Sequence, residues 1–420
     1  MAGNETTGPD GRRAVSVGLA LRSGVAILVF IFQGAIAPGH AQSSSPASPE
    51  IVEIERRGRG TTVYFNAWAG DEAINRYIAW AAREINRRYG VTLVHVKVAD
   101  IAEAVTRILA ERAAGRLSEG SVDLLWLNGE NFAALRNANL LYGPWVDRVP
   151  NARLIDTLGN PTTIRDFTLP TDGYELAWGS ARFTLFYDSA AVLDPPRDPK
   201  SLLAWIWAHP GRFTYPRPPN FLGTSFIEQL LLLLVPDPGR VQHPVGSDFA
   251  AVTRPLWAWL DAAQPAMWRR GRLFPPSGPA QRELLGVGEL DWTMAFNPLE
   301  GSRAIAQHEL PDTVRGTSFS GGALANSHFL AIPANARNPD GAMVVANFLL
   351  SAEAQVRKAD VSVWGDPTVL DITVLSESDR RLFGEQSAAS DQGPGGVLSE
   401  PHPSWSAELE REWIARYGVR

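Results

Sequence analysis

Cysteine is absent from all 420 residues. That excludes a disulfide framework, a thiolate zinc site, an iron–sulfur cluster and a thiol nucleophile. It also excludes lipid attachment through an N-terminal cysteine. A net basic charge is missing too: 39 Lys and Arg face 45 Asp and Glu, for a formal charge of -6. No sequence-wide basic field exists to attract nucleic acid or anionic lipid. Histidine is scarce, with seven in the chain, scattered and never at metal-ligand spacing. The phosphate loop, the Gly-x-Gly-x-x-Gly turn, His-Glu-x-x-His and the Gly-x-Ser-x-Gly elbow do not occur. No cofactor, no metal and no enzymatic step are therefore expected. Beyond the N-terminus no apolar run reaches the ~20 residues that a membrane span needs.

What is present begins with an export pattern. Arg12, Arg13 and Arg22 make the start basic, and Gly24 to Phe32 is an apolar core. Gly39 and Ala41 place small residues where a signal peptidase reads them. Residues 1–41 are expected to be a signal peptide cleaved after Ala41, by the general or the twin-arginine route. Residues 42–60, rich in Ser and Pro at their start, are expected to be a linker.

From Thr61 the pattern alternates. Thr61 to Asn66 predicts a strand. Ile74, Tyr77, Ile78, Ala81, Ala82 and Ile85 then fall on one helical face from Glu72 to about Tyr89, with Gly90 as a stop. Val91 to Val98 predicts a second strand and Asp100 a helix cap. Ser121 to Leu127 predicts a third strand, followed by a short helix near Phe132. The middle of the chain repeats this less cleanly. Strands are expected at 182–188, 212–215, 290–296 and 329–333, and helices at 201–208, 226–234 and 339–350. The order implies an α/β fold with mostly parallel sheets flanked by helices.

Ligands in open α/β sheets bind at the carboxyl ends of strands. Three such ends carry amides beside turn formers: Asn66 with Trp68, Asn128 with Glu130, and Asn297 with Pro298. Trp178 precedes the strand expected at 182–188. Asn66, Trp68, Asn128, Glu130, Trp178 and Asn297 are the candidate ligand residues. Asn and Gly are equally the ordinary residues of βα turns and helix caps. The amides would donate and accept hydrogen bonds, the two tryptophans would stack, and Glu130 would pair with a cationic group.

Several segments carry a family resemblance by their order and spacing. They are Tyr64-Phe65-Asn66-Ala67-Trp68-Ala69-Gly70-Asp71, Ser121 to Phe132, and Pro210-Gly211-Arg212-Phe213-Thr214-Tyr215-Pro216. Ala331-Ile332-Pro333, Asn338 to Ala342, Asn347 to Ser351 and Glu353-Ala354-Gln355 complete the set, from about Thr61 to Lys358. In these the chain resembles type II periplasmic solute-binding proteins of ABC importers, in a branch related to thiamine, polyamine and ferric-iron binders. The resemblance implies two lobes joined by crossing strands near 183–188 and 313–333. Lobe 1 would hold 61–182 and 314–420, and lobe 2 would hold 183–313. It implies a monomer in the periplasm that captures a small polar or cationic solute, thiamine- or polyamine-like, and delivers it to an ABC permease and ATPase. Ferric binders of this group use neighbouring tyrosines, and no Tyr-Tyr pair occurs here. The competing readings are a secreted hydrolase using Asp71, Asp123 or Glu130, and a ligand sensor uncoupled from transport.

Overall fold

The computed structural model describes residues 49–384 and 396–418. The expected signal peptide and the first part of the expected linker, up to residue 48, lie outside them. The rest of that linker is mostly a helix, Pro49–Gly58, whose Ile51 and Ile54 are buried against Pro339–Leu349. The serine and proline bias at 42–48 hid the apolar pair that starts at Ile51.

The first sheet is built from Thr62–Trp68, which pairs in parallel with Thr92–Val98 and with Leu124–Leu127. Ala323–Ala331 adds antiparallel to Leu124–Leu127 and, on its other edge, to Glu175–Arg182. Helix Glu72–Tyr89 forms as its spacing predicts. Asp71 accepts the amide of Ala73 at 2.7 Å, which satisfies one free donor of the first turn. Gly90 caps the other end. Its buried face of Ile74, Tyr77, Ile78, Ala81 and Ile85 covers one side of the sheet. Each large apolar side chain there contributes about 1.5–3 kcal/mol. Ala104, Val105, Ile108, Phe132 and Leu135 cover the other side.

The second sheet is small. Thr184–Asp188 sits between Trp292–Ala295 and Val314–Thr317, antiparallel to both. The parallel arrangement thus belongs to the first lobe. In the second lobe the outgoing strand lies beside the returning one, and such neighbours must run in opposite directions. The helices Pro199–Ala208, Phe221–Leu234 and Phe249–Ala263 close one face around Phe213, Phe226, Trp259 and Trp292. Leu285, Leu290 and Ala304 close the other against Phe186.

Two expectations fail in this lobe. Residues 212–215 form no strand; Phe213 and Tyr215 are core residues of an irregular segment, tied by Trp268 N to Phe213 O at 2.8 Å. The C-terminal helix Ser404–Tyr417, assigned to lobe 1 from the sequence, places Trp405, Leu409 and Trp413 in the core of the second lobe. Trp413 donates to the Tyr215 hydroxyl at 2.9 Å. Sequence distance misled here, since the returning chain revisits a body it had already left.

The crossing is short. Arg182 ends one strand, Thr184 begins the next, and Phe183 N donates to Leu324 O at 2.8 Å. Gln229 in the helix Phe221–Leu234 clamps the return strand, donating to Gly322 O and accepting from Leu324 N.

Candidate functional site

A cavity of about 250 Å³ lies between the bodies, lined by both. From the first come Trp68, Trp126, Asn128, Glu130, Phe167, His328, Trp364 and Asp366. From the second come Phe221, Thr224, Glu228, Arg282, Phe296 and Asn297, together with Glu410 of the C-terminal helix.

Four of the six candidate residues reach this cavity: Trp68, Asn128, Glu130 and Asn297. Asn66 does not. The strand runs on to Trp68, so Asn66 lies inside the sheet, 0% exposed, and accepts from Arg107 at 3.3 Å. Trp178 does not reach it either. It is 0% exposed, in the middle of Glu175–Arg182. Its ring packs beneath Trp126 at 5.2 Å and Trp364 at 5.5 Å, so it supports the wall without being part of it. Asn128 donates to Ser327 O at 3.3 Å. Asn297 accepts from Leu299 N at 2.9 Å and so combines a turn role with a place on the cavity.

Glu130 opens a short helix, Glu130–Asn137. The preceding Gly129 has φ +64°, and a Cβ there would lie 2.7 Å from Phe167 Cζ, so only glycine fits the turn and the close ring together. Asp166 accepts the Gly129 amide at 2.6 Å and holds the turn.

The electrostatics of the cavity are one-sided. Glu130, Glu228 and Glu410 all face it, and none makes a salt bridge among the described residues. Glu228 is 2% exposed and accepts from Ser406 at 2.6 Å. Glu410 accepts from Thr224 at 2.7 Å. Burial pushes the Glu228 carboxyl up to about 8, with Ser406 opposing and Glu130 and Glu410 adding repulsion. Burial likewise raises Glu130 to about 7, opposed by its own amide and aided by Glu410 and Asp100. Glu130 is exposed at the cavity, so loss of hydration counts for less there than at Glu228. Burial raises Glu410 to about 7, against the Thr224 hydroxyl and with help from Asp100.

Of the other carboxylates lining the cavity, Asp71 and Glu300 are ion-paired. Asp71 bonds Arg303 at 2.7 Å, and Glu300 pairs with Arg282 and Arg303. Asp123 accepts from Tyr64 N at 3.0 Å and Asn338 N at 2.8 Å, away from the cavity. Asp71, Asp123 and Glu130 therefore form no paired acid and base.

Sequence reasoning missed Trp126, Phe167, Glu228, Phe296, His328, Trp364 and Glu410. Glu228 carried a legible signal, a lone acid in the apolar run Phe226 to Leu234, where an unpaired charge is costly. Trp364 lies in a loop without periodicity, and Glu410 on a helix whose destination no local pattern specifies.

Comparison with known proteins decides the family. The family model for a bacterial extracellular solute-binding protein matches residues 80–376. The chain belongs to that family. Protein YnjB of Escherichia coli (strain K12) is 47% identical over 368 residues, 87% of this chain and 94% of that protein. Among solved structures, the fold is similar to the spermidine/putrescine ABC transporter substrate-binding protein PotD of Streptococcus pneumoniae. That match has TM-score 0.57 and 12% identity, over 84% of this chain and 98% of the other. It is also similar to the periplasmic binding protein AfuA of Actinobacillus pleuropneumoniae, with fructose-6-phosphate bound. There the TM-score is 0.57 and the identity 13%, over 86% and 99%. This solute-binding protein has the two-lobe type II periplasmic fold, and its ligand class has to be argued from its own cleft.

Proposed function

We propose that this solute-binding protein captures a small organic cation in the cleft and delivers it to an ABC permease and its ATPase from the periplasm. The observation that carries the reading is the meeting of Glu130, Glu228 and Glu410 at one aromatic-walled cavity without a cationic partner. Three carboxyls meet at one cavity, Glu228 buried, Glu410 half-buried and Glu130 exposed, and their mutual repulsion with the burial of Glu228 disfavours the ionised forms. A positively charged ligand restores the ionised form and gains its full attraction in a site of low dielectric. Trp68, Trp126, Trp364, Phe221 and Phe296 supply flat apolar surface, which suits a cation with planar or aliphatic parts.

The reading requires no bond to be made or broken. Ligand contacts from both lobes shift the protein toward its closed state. A thermal-shift panel tests it, with thiamine, spermidine and putrescine set against glucose, phosphate and sulfate. A ligand that binds only the folded form raises the melting temperature. A rise with at least one organic cation and none with the anions is expected. A rise with an anion alone would remove the cation reading.

A further inference from the structure

A buried relay of three charged or polar side chains ends at the cavity wall. Lys358 is 0% exposed, and its ammonium is ion-paired with Asp366, which is 1% exposed. Lys358 Nζ also donates to Pro367 O at 2.8 Å. The other carboxylate oxygen of Asp366 lies 3.0 Å from His328 Nε2. Burial works against ionisation of Asp366, but the Lys358 ammonium, aided by His328, outweighs it and holds the carboxyl below its usual range. Facing an ionised acceptor, Nε2 of His328 carries the hydrogen, and in the neutral ring Nδ1 keeps its lone pair.

The ring cannot turn freely. It meets Trp126 edge-on at 4.9 Å and lies nearly parallel to Trp364 at 6.5 Å. Its Cδ2 edge is seated over Gly179, where an added Cβ would lie 2.5 Å from Cδ2, 3.1 Å from Lys358 Nζ and hard against Asp366. The ring edge bearing Nδ1 is therefore the opposite one, on a residue that lines the cavity. Nδ1 has no hydrogen-bond partner among the described residues.

We propose that His328 is a specificity-determining ligand contact, held by Asp366, Lys358 and Gly179 so that Nδ1 accepts a hydrogen bond from an N–H donor on the ligand. This rests on the organic-cation reading and narrows it to cations that carry N–H groups, in preference to quaternary ammonium ions. Asp366, Lys358 and Gly179 are positioning residues and act through the imidazole. Charge attraction comes from the three glutamates while His328 reads the donor.

Two measurements test this. The first needs no ligand: ¹⁵N-histidine NMR of the free protein at pH 7.5, with the His328 signal assigned by its loss in H328Q. A neutral ring with hydrogen on Nε2 is the expected result. A ring with hydrogen on Nδ1, or a doubly protonated one, overturns the proposal. The second compares binding of spermidine and thiamine, which have N–H donors, with tetramethylammonium, which has none. His328→Phe is expected to weaken the N–H cation that the wild type binds by roughly tenfold or more. His328→Gln, which keeps an acceptor, recovers part of the loss, and either variant weakens tetramethylammonium by less than it weakens the N–H cation. Equal loss for both cation types, or full affinity in His328→Phe, overturns the contact. Failure of the wild type to bind any of these cations counts against the cation reading, and the tautomer then decides the role of His328 by itself.

Discussion

Glu228 shows how one side chain ties stability to function. Its carboxyl holds a proton to about pH 8 in the folded protein and releases it near 4.5 when unfolded. Between those values the folded state binds more protons than the unfolded state, so stability falls as pH rises. Below that window the contribution is constant. For a single such group the slope approaches 1.4 kcal/mol per pH unit. The ligand-free protein is therefore expected to melt at a lower temperature at pH 8 than at pH 5.5. Glu228→Gln should gain stability over the wild type progressively from pH 4.5 upward, by more at pH 8 than at pH 5.5, as measured by calorimetry at both pH values. Equal melting temperatures for the two proteins at pH 8 would mean that Glu228 is already paired or hydrated. At the same scale the proposed cation reading makes Trp68 a stacking surface, so Trp68→Ala should weaken cation binding by about 0.5–2 kcal/mol. Titration calorimetry with the cation identified by thermal shift checks this, and an unchanged affinity would take the ring out of the site. Candidate residues reach the cavity where chemistry and strand ends coincide, as at Trp68 and Glu130. Asn66 and Trp178 failed because two more residues of strand, or one layer of depth, separate a wall from its support. That distance is set by packing rather than by the local residues.

Between elements, the contact at Asp71 has a double role. One carboxylate oxygen caps the helix Glu72–Tyr89, and the other receives Arg303 of the helix Glu300–Ala306 in the second lobe. The pair is buried and joins the two lobes beside the cavity, and we expect it to favour the arrangement in which they are in contact. Asp71→Asn keeps an acceptor for the cap but removes the charge. Arg303 then retains Glu300 at 3.0 Å and donates to Gln307 Oε1 at 3.2 Å. Breaking a buried pair on one side costs about 3–5 kcal/mol, and here much of that falls on closure. The variant is expected to have a larger radius of gyration in small-angle scattering, with helix content unchanged. An identical scattering curve would show that Asp71 only caps. Elements with a strong period and both caps, such as Glu72–Tyr89, were legible almost to the residue. The segment 212–215 misled because an apolar, β-rich run satisfies the strand pattern even where its carbonyls are taken by Trp268 N and the Gln281 side chain in place of a ladder. Pro49–Gly58 and Ser404–Tyr417 show the reverse, helices whose place is set by partners far away in sequence.

Across the whole molecule, two cores meet at one cleft through a short crossing near Phe183 and Leu324. Each lobe brings part of the acid cluster, Glu130 from the first and Glu228 with Glu410 from the second. Without a cation, closure brings like charges together or forces them to take up protons. With one, closure joins them around a common counter-charge. Affinity should therefore rise with pH as the three carboxyls ionise, against the fall in stability of the ligand-free form. The most direct measurement is titration calorimetry of spermidine and thiamine at pH 6 and pH 8.5. One ligand per protein is expected, with tighter binding at pH 8.5. Saturable binding of glucose or phosphate in place of any cation, or cation binding that weakens as pH rises, would contradict the account.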